Sequence, residues 1–191
     1  MSTIYTLNSK VLKNTANDKW LIKKVVPTDE VQIGTQIWKT KNLAIDDGQG
    51  GIYTQTVNYG QGNIVEYYYT LEAAVRIAAS IPGWHLPTAA EWETLATAVG
   101  GSTTAGTKLK STYGWKNNGN GTDDYGFAAF PAGWYYSSSS AFKELNNGAY
   151  FWSSTKASTF YNNIVLSYSE ASISITRNTK SRGYSVRLIK D

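Results

Sequence analysis

From Val31 to Trp38 apolar and polar residues alternate, and Gly34-Thr35 interrupts the alternation at its middle. A period of two on both sides of a Gly-containing dipeptide predicts two strands joined by a tight turn. Gly48 to Gly51 and Asn58 to Asn63 are rich in Gly and Asn and read as loops. The period then lengthens. Leu71, Ala74, Val75 and Ala78 recur at helical spacing, Thr70 stands at the N-cap, Glu72 lies in the first turn, and Pro82-Gly83 closes the segment. A second helix opens at Thr88-Ala89-Ala90-Glu91, a capping box, and stops at Gly100-Gly101. After Gly106 no long helical period remains, and short aromatic or β-branched runs alternate with Gly, Asn and Ser turns. Within them Ile164, Leu166, Ile173, Ile175, Val186 and Leu188 alternate with polar neighbours and are expected to face the core. Two early helices and late strands predict an α+β domain.

Ahead of that domain, Ile4, Leu7, Val11 and Leu12 precede the polar stretch 14–19, and Trp20-Leu21-Ile22 follow it. Two short strands around a turn fit this pattern. Residues 1–30 are thus expected to form a β appendage, and residues 31–191 the main domain. A hairpin this small is marginal alone and needs a surface to pack on.

Composition narrows the classes of function. Seven Trp and fourteen Tyr are enough to fill a core, furnish a binding face, or do both. The net charge of +4 is spread out, with no basic run beyond Lys23-Lys24, so a nucleic-acid partner is not expected. With no cysteine, disulfides, thiolate metal sites and cysteine nucleophiles are excluded. Met1 to Tyr5 has neither a basic start nor an apolar stretch, so no signal peptide is expected in this chain. The longest nearly apolar run, Ala73 to Ile81, is too short to span a bilayer and contains Arg76.

Candidate chemistry is sparse. His85 is the only histidine, with no second one to complete a metal site, and a buried structural role is the expectation. Asp46-Asp47-Gly48 and Asp123-Asp124 lack calcium-loop spacing and read as solvated turns. No catalytic residue, metal ligand or cofactor is assigned. Trp38, Trp84, Trp92 and Trp152 are expected in the core, whereas Trp115 and Trp134, beside Gly and Asn turns, have a loop-anchor reading and a ligand-contact reading. The richest signal is compositional. Of the 48 residues from Trp134 to Ser181, 12 are Ser, 5 Tyr, 5 Asn and 4 Thr, the mixture favoured in antibody combining loops. Ordinary polar turns and edge strands are the plainer reading of the same residues.

Gly83-Trp84-His85-Leu86-Pro87-Thr88-Ala89-Ala90-Glu91-Trp92 resembles the G-W-H/R-L-P-T-x-x-E-W signature of the Fibrobacter succinogenes major paralogous domain. Four further segments resemble family landmarks in the same order: Val31 to Leu43, Tyr125 to Gly133, Phe151-Trp152-Ser153-Ser154-Thr155, and Gly183-Tyr184-Ser185-Val186-Arg187-Leu188. The resemblance implies a C-type-lectin-like fold related to formylglycine-generating enzymes, with two helices and a twisted antiparallel sheet. Its enzymatic branch needs cysteines, so only the scaffold carries over. Domains of this kind are often diversified by retroelements that mutate adenines in a 3′ repeat, which fits the Tyr/Ser/Asn bias.

On that basis the expected binding face comprises Tyr135, Tyr136, Ser138 and Phe142, then Thr155, Lys156, Ser158, Phe160, Tyr161, Asn163, Tyr168 and Glu170. The resemblance implies a non-enzymatic protein that binds a protein or glycan on a cell surface, without nucleic acid or membrane insertion. Two settings stay open: a phage or prophage receptor-binding protein on a virion, trimeric if it forms a tip, or a bacterial surface adhesin or lipoprotein whose leader is absent here. A glycan hydrolase would need two carboxylates across a cleft, and Glu91 is better used as a helix cap.

Overall fold

The computed structural model describes residues 29–191, together with the paired backbone of Leu12–Lys13 (β1) and Trp20–Leu21 (β2). The rest of the expected appendage lies outside the described residues. The alternating segment at the start of the domain forms β3 (Glu30–Ile33) and β4 (Gln36–Lys39), antiparallel around Gly34-Thr35. A hairpin named only by its loop follows: β5 (Ile52–Asn58) and β6 (Asn63–Tyr69), paired along seven positions.

Helix α1 (Leu71–Ala78) is capped by Thr70, whose hydroxyl accepts from the Ala73 N–H. Its buried face is Leu71, Ala73, Ala74, Ile77 and Ala78, whereas Val75 is 48% exposed. Of the expected stripe Leu71, Ala74 and Ala78 face the core, while Ala73 and Ile77 take the place expected of Val75. Strand β7 (Trp84–His85) leads into α2 (Ala89–Ala98), where Thr88 and Glu91 complete the capping box.

A third helix, α3 (Ser102–Leu109), corrects the expected pair. Gly101 at its N-cap offers no side-chain cap, and the Ser/Thr/Gly-rich sequence has weak helical propensity. Tertiary packing overrides that preference, with Ala105, Gly106 and Leu109 buried. A Cβ at Gly106 would collide with the Ser172 carbonyl oxygen, and the Thr107 N–H donates to the Ala171 carbonyl.

The remaining strands are β8 (Trp134–Tyr136), β9 (Ala141–Lys143), β10 (Gly148–Ala157), β11 (Phe160–Ser167), β12 (Ile173–Asn178), β13 (Arg182–Gly183) and β14 (Ile189–Lys190). They form several small sheets instead of one: β3-β4-β14-β7, β10-β11-β12, β13-β8-β9 and β5-β6. Strand β14 sits between β4 and β7, so the end of the chain closes the sheet that begins the domain. All pairings within these sheets are antiparallel. The domain is α+β.

Three apolar clusters form the core. One gathers Trp38, Trp92, Phe127 and Phe151 beneath α2 and α3, a second packs Trp152, Tyr184 and Val186 against α1, and a small third joins Tyr68, Ala132 and Tyr135. Ile164, Leu166, Ile173, Val186 and Leu188 are buried, but Ile175 is 37% exposed, at the rim of a groove that it shares with α2. Trp115 is buried and donates to the Ser111 hydroxyl, so it is a loop anchor.

Arg187 was not singled out from the sequence, yet it ties several loops together. It is fully buried and donates to the Asn42 side chain and to the carbonyls of Lys39 and Phe127. Asn42 in turn donates to Glu66, which also accepts from the Tyr59 hydroxyl. Burial lowers the Arg187 pKa to about 9, opposed by Glu66 and Asp123, and it stays protonated at neutral pH. Burial raises the Glu66 pKa, against its two hydrogen bonds and the charge of Arg187.

Candidate functional site

The candidate surface is assembled from three turns. Gly133, at φ 71° and against the Lys143 carbonyl, admits no Cβ and lets the chain enter β8. Strand β8 turns through Ser137–Ser139 and returns as β9, with Ser140 in the left-handed region at φ 48°. The Ser137 hydroxyl donates to the Ser181 carbonyl at 2.7 Å, which fastens this turn to the one between β12 and β13. The β10–β11 turn is reached through register: Lys156 pairs with Tyr161, and Tyr161 pairs with Asn178 on β12.

Aromatic rings and cations meet where these turns converge. The Arg182 guanidinium lies 4.4 Å from the Trp134 ring centroid, and Tyr136 and Tyr150 approach Trp134 edge-on at 5.6 and 6.5 Å. Lys156 stands 6.0 Å from the Tyr161 ring, and Lys180 is paired with Glu72 at 2.8 Å. That hydrogen bond to Glu72 raises the Lys180 pKa. Tyr136 and Phe160 are exposed large hydrophobic residues. Rings with amphipathic edges, cations and hydroxyls on stiff strands can bind a partner through stacking and adaptable hydrogen bonds.

The expected contact residues separate into three groups. Tyr136, Ser138, Lys156, Ser158 and Phe160 are exposed and Tyr161 is half-buried, all on these turns. Four others serve the scaffold. Tyr135 is buried, its ring stacked 3.8 Å from Tyr53, because alternation along β8 turns it inward while Tyr136 faces out. Phe142, half-buried, packs on Tyr68 and Tyr135 at 5.1 Å. The Thr155 hydroxyl accepts from the Ala89 N–H at the start of α2. Asn163 is fully buried and accepts from Thr176 and Asn178.

Tyr168 and Glu170 form the third group, and they are not at this end. Seven strand positions separate Tyr161 from Tyr168, about 23 Å at roughly 3.3 Å per residue. Tyr168 lies near Lys116, and the Glu170 carbonyl accepts from Lys110. Sequence reasoning passed over Arg182 and Lys180. The available signal was their position, immediately before the Gly183 motif and opposite the β8 segment.

His85 is not the buried residue expected. Its side chain is 37% exposed and spans two carboxylates, Nε2 to Glu91 at 2.9 Å and Nδ1 to Asp191 at 2.7 Å. Burial works against its protonation, but the two carboxylates prevail and raise its pKa. Asp47 is engaged by Arg76 through both carboxylate oxygens, and Asp123 accepts from the Ala128 N–H. Among the described residues no group of three His, Cys, Asp or Glu side chains could hold a metal ion, and no helix is long and apolar enough to cross a membrane.

These features define an α+β domain whose rigid interior carries an aromatic and cationic surface at one end. Residues 31–190 match the family model of the Fibrobacter succinogenes major domain, and the chain belongs to that family. No curated protein and no solved structure gives a significant match.

Proposed function

We propose that this protein binds a protein or glycan on a cell surface through the Trp134–Tyr136–Arg182 end, and that it is not an enzyme. The observation that carries this reading is the joining of the β8–β9 and β12–β13 turns beside a half-exposed Trp134, with Arg182 over its ring. The side chains there are the Tyr, Ser, Lys and Phe types that support contact without reshaping the backbone. His85 and Glu91, the histidine–carboxylate pair present, are taken up by a helix cap and a strand closure, which favours binding over catalysis.

In this reading the scaffold is C-type-lectin-like and the end surface is diversified by a retroelement. The setting is the virion of a phage or prophage, with a trimeric tip as its oligomeric form. A bacterial surface adhesin or lipoprotein is the second reading, and the exposed, hydroxyl-rich turns suit it equally. An adjacent reverse-transcriptase gene with a near-copy of the 3′ coding repeat tests the proposal. Its adenine mismatches should fall on the codons of Tyr136, Ser138, Lys156, Ser158, Phe160 and Tyr161, and should spare Tyr135. The direct test replaces Tyr136, Phe160 and Tyr161 with Ala together. Binding to a glycan array and a surface-protein array should disappear with the fold intact by circular dichroism, and unchanged binding would reject the site.

A further inference from the structure

The sheet β10-β11-β12 ends in an edge that no strand of the described residues covers; α3 packs against its beginning, and Ser174 to Arg177 stay exposed. Edge strands are usually guarded by proline, bulges, charged side chains, brevity or a covering helix or loop, because their free N–H and C=O groups template another strand. Strand β12 has six residues, no proline and no lysine, and its register with β11 is unbroken from Ile173 to Asn178. Ser174, Ile175, Thr176 and Arg177 are exposed in succession.

One face of this edge is furnished for side chains. Ile173, Ile175 and Arg177 share a face by alternation, opposite Leu166, Ile164 and Asn162 of β11. Beside Ile173 and Ile175 runs a groove of about 420 Å³, closed by Trp92, Ala96 and Thr97 of α2 and by Ser102. Ile175 is 37% exposed at its rim. Two positions beyond, the Arg177 side chain has no ion pair among the described residues. Glu93 also lines the groove, so an acidic side chain is disfavoured there and favoured at Arg177.

The geometry points to a second docking surface, in which the open edge of β12 adds an extended peptide strand with an apolar residue in the Trp92–Ile175 groove and an acidic residue, two positions away, on Arg177. Main-chain hydrogen bonds supply affinity in this mode, and alternate side chains supply specificity. The surface uses none of the residues around Trp134 and stands independently of the function proposed for them.

The probe is a capped fluorescent hexapeptide, Thr-Thr-Leu-Thr-Glu-Thr, with its reversed sequence to cover both strand directions. Anisotropy titration against the full chain should saturate for one of them. Methylating alternate peptide nitrogens should weaken binding at least tenfold when the methylated face meets β12, with the protein untouched. Arg177→Glu should weaken it about fivefold, the scale of an exposed ion pair, and a Lys-for-Glu peptide should recover binding to that variant. Absence of saturation, indifference to methylation, or no recovery by the charge exchange would overturn the proposal. So would sedimentation equilibrium showing dimers that Ile175→Ser disrupts, because a second copy would then occupy the edge.

Discussion

Arg182 and Arg187 lie five residues apart, and each guanidinium rests 4.4 Å from an aromatic centroid, Trp134 for one and Phe127 for the other. Their surroundings differ entirely. Arg187 is fully buried and has every nitrogen engaged by Asn42 or by the carbonyls of Lys39 and Phe127. Arg182 is half-buried on β13, among turns held by Ser137 and Ser181. The contact distance does not separate them; desolvation does. A cation sealed from water has to be matched donor for donor, and any change there spreads to each loop it holds. A cation at the surface stacks at little cost and is free to change. One short stretch of chain thus passes from replaceable surface to fixed interior.

The largest break in this comparison comes from Arg187→Met. It leaves Glu66 buried without its nearby cation and strips two carbonyls of their donors. Loss of one partner from a buried charged network costs about 3–5 kcal/mol. Urea denaturation should show that loss, or no folded protein.

Neighbouring tyrosines give the next effect. Tyr135→Ala removes a ring packed on Tyr53 and Phe142 and should cost about 3 kcal/mol. Tyr136→Ala, one residue along and facing out, should stay within about 0.5 kcal/mol. Similar denaturation midpoints for the two variants would erase the distinction between surface and scaffold.

That pair also shows how far the sequence was readable. Alternation located β3, β4 and the core positions of β11, and the Thr88–Glu91 spacing located the start of α2, because both signals are local. Inward and outward positions within Tyr135-Tyr136 were not separable, since both residues are tyrosine and the phase of β8 is set by pairing with β9 and β13. Helix α3 was missed for a related reason. Its stability comes from Ala171-Ser172 lying against Gly106, a contact far along the chain. Asn163 and Thr155 looked like ligand contacts because polar residues in a Ser/Asn-rich segment carry no mark of burial. Tyr168 and Glu170 were grouped with Tyr161 by sequence proximity, although a strand carries them to its other end.

His85 offers a smaller, tunable effect on the scaffold side. Its folded pKa lies above the ordinary 6.5, so its contribution is full below that value and fades as pH rises through the raised one. Glu91, whose pKa is lowered by its bonds to Thr88 and His85 despite burial, contributes above 4.5 and loses this as pH falls through the lowered value. Between those limits both groups support the closure of β7 on β14. The stability gap between the wild type and His85→Gln should therefore be widest near pH 5.5–6 and should narrow by pH 9, as followed by urea midpoints. A gap that widens toward pH 9 would mean that neutral His85 carries the contact.

Arg182→Ala completes the comparison with the smallest change in stability. A cation stacked on a partly exposed ring is worth about 0.5–1 kcal/mol, so the midpoint of unfolding should barely move. Trp134 should nevertheless register the loss directly, because the guanidinium covers one face of its indole. The tryptophan emission should shift to the red as water reaches that face, a change that Trp134→Phe abolishes in the same background. Arg182→Lys should restore part of the stacking and little of the coverage, since an ammonium lacks the flat guanidinium plane. If Arg182→Ala instead cost as much as Arg187→Met, the Trp134 end would be part of the fixed interior, and no freely replaceable surface would remain there.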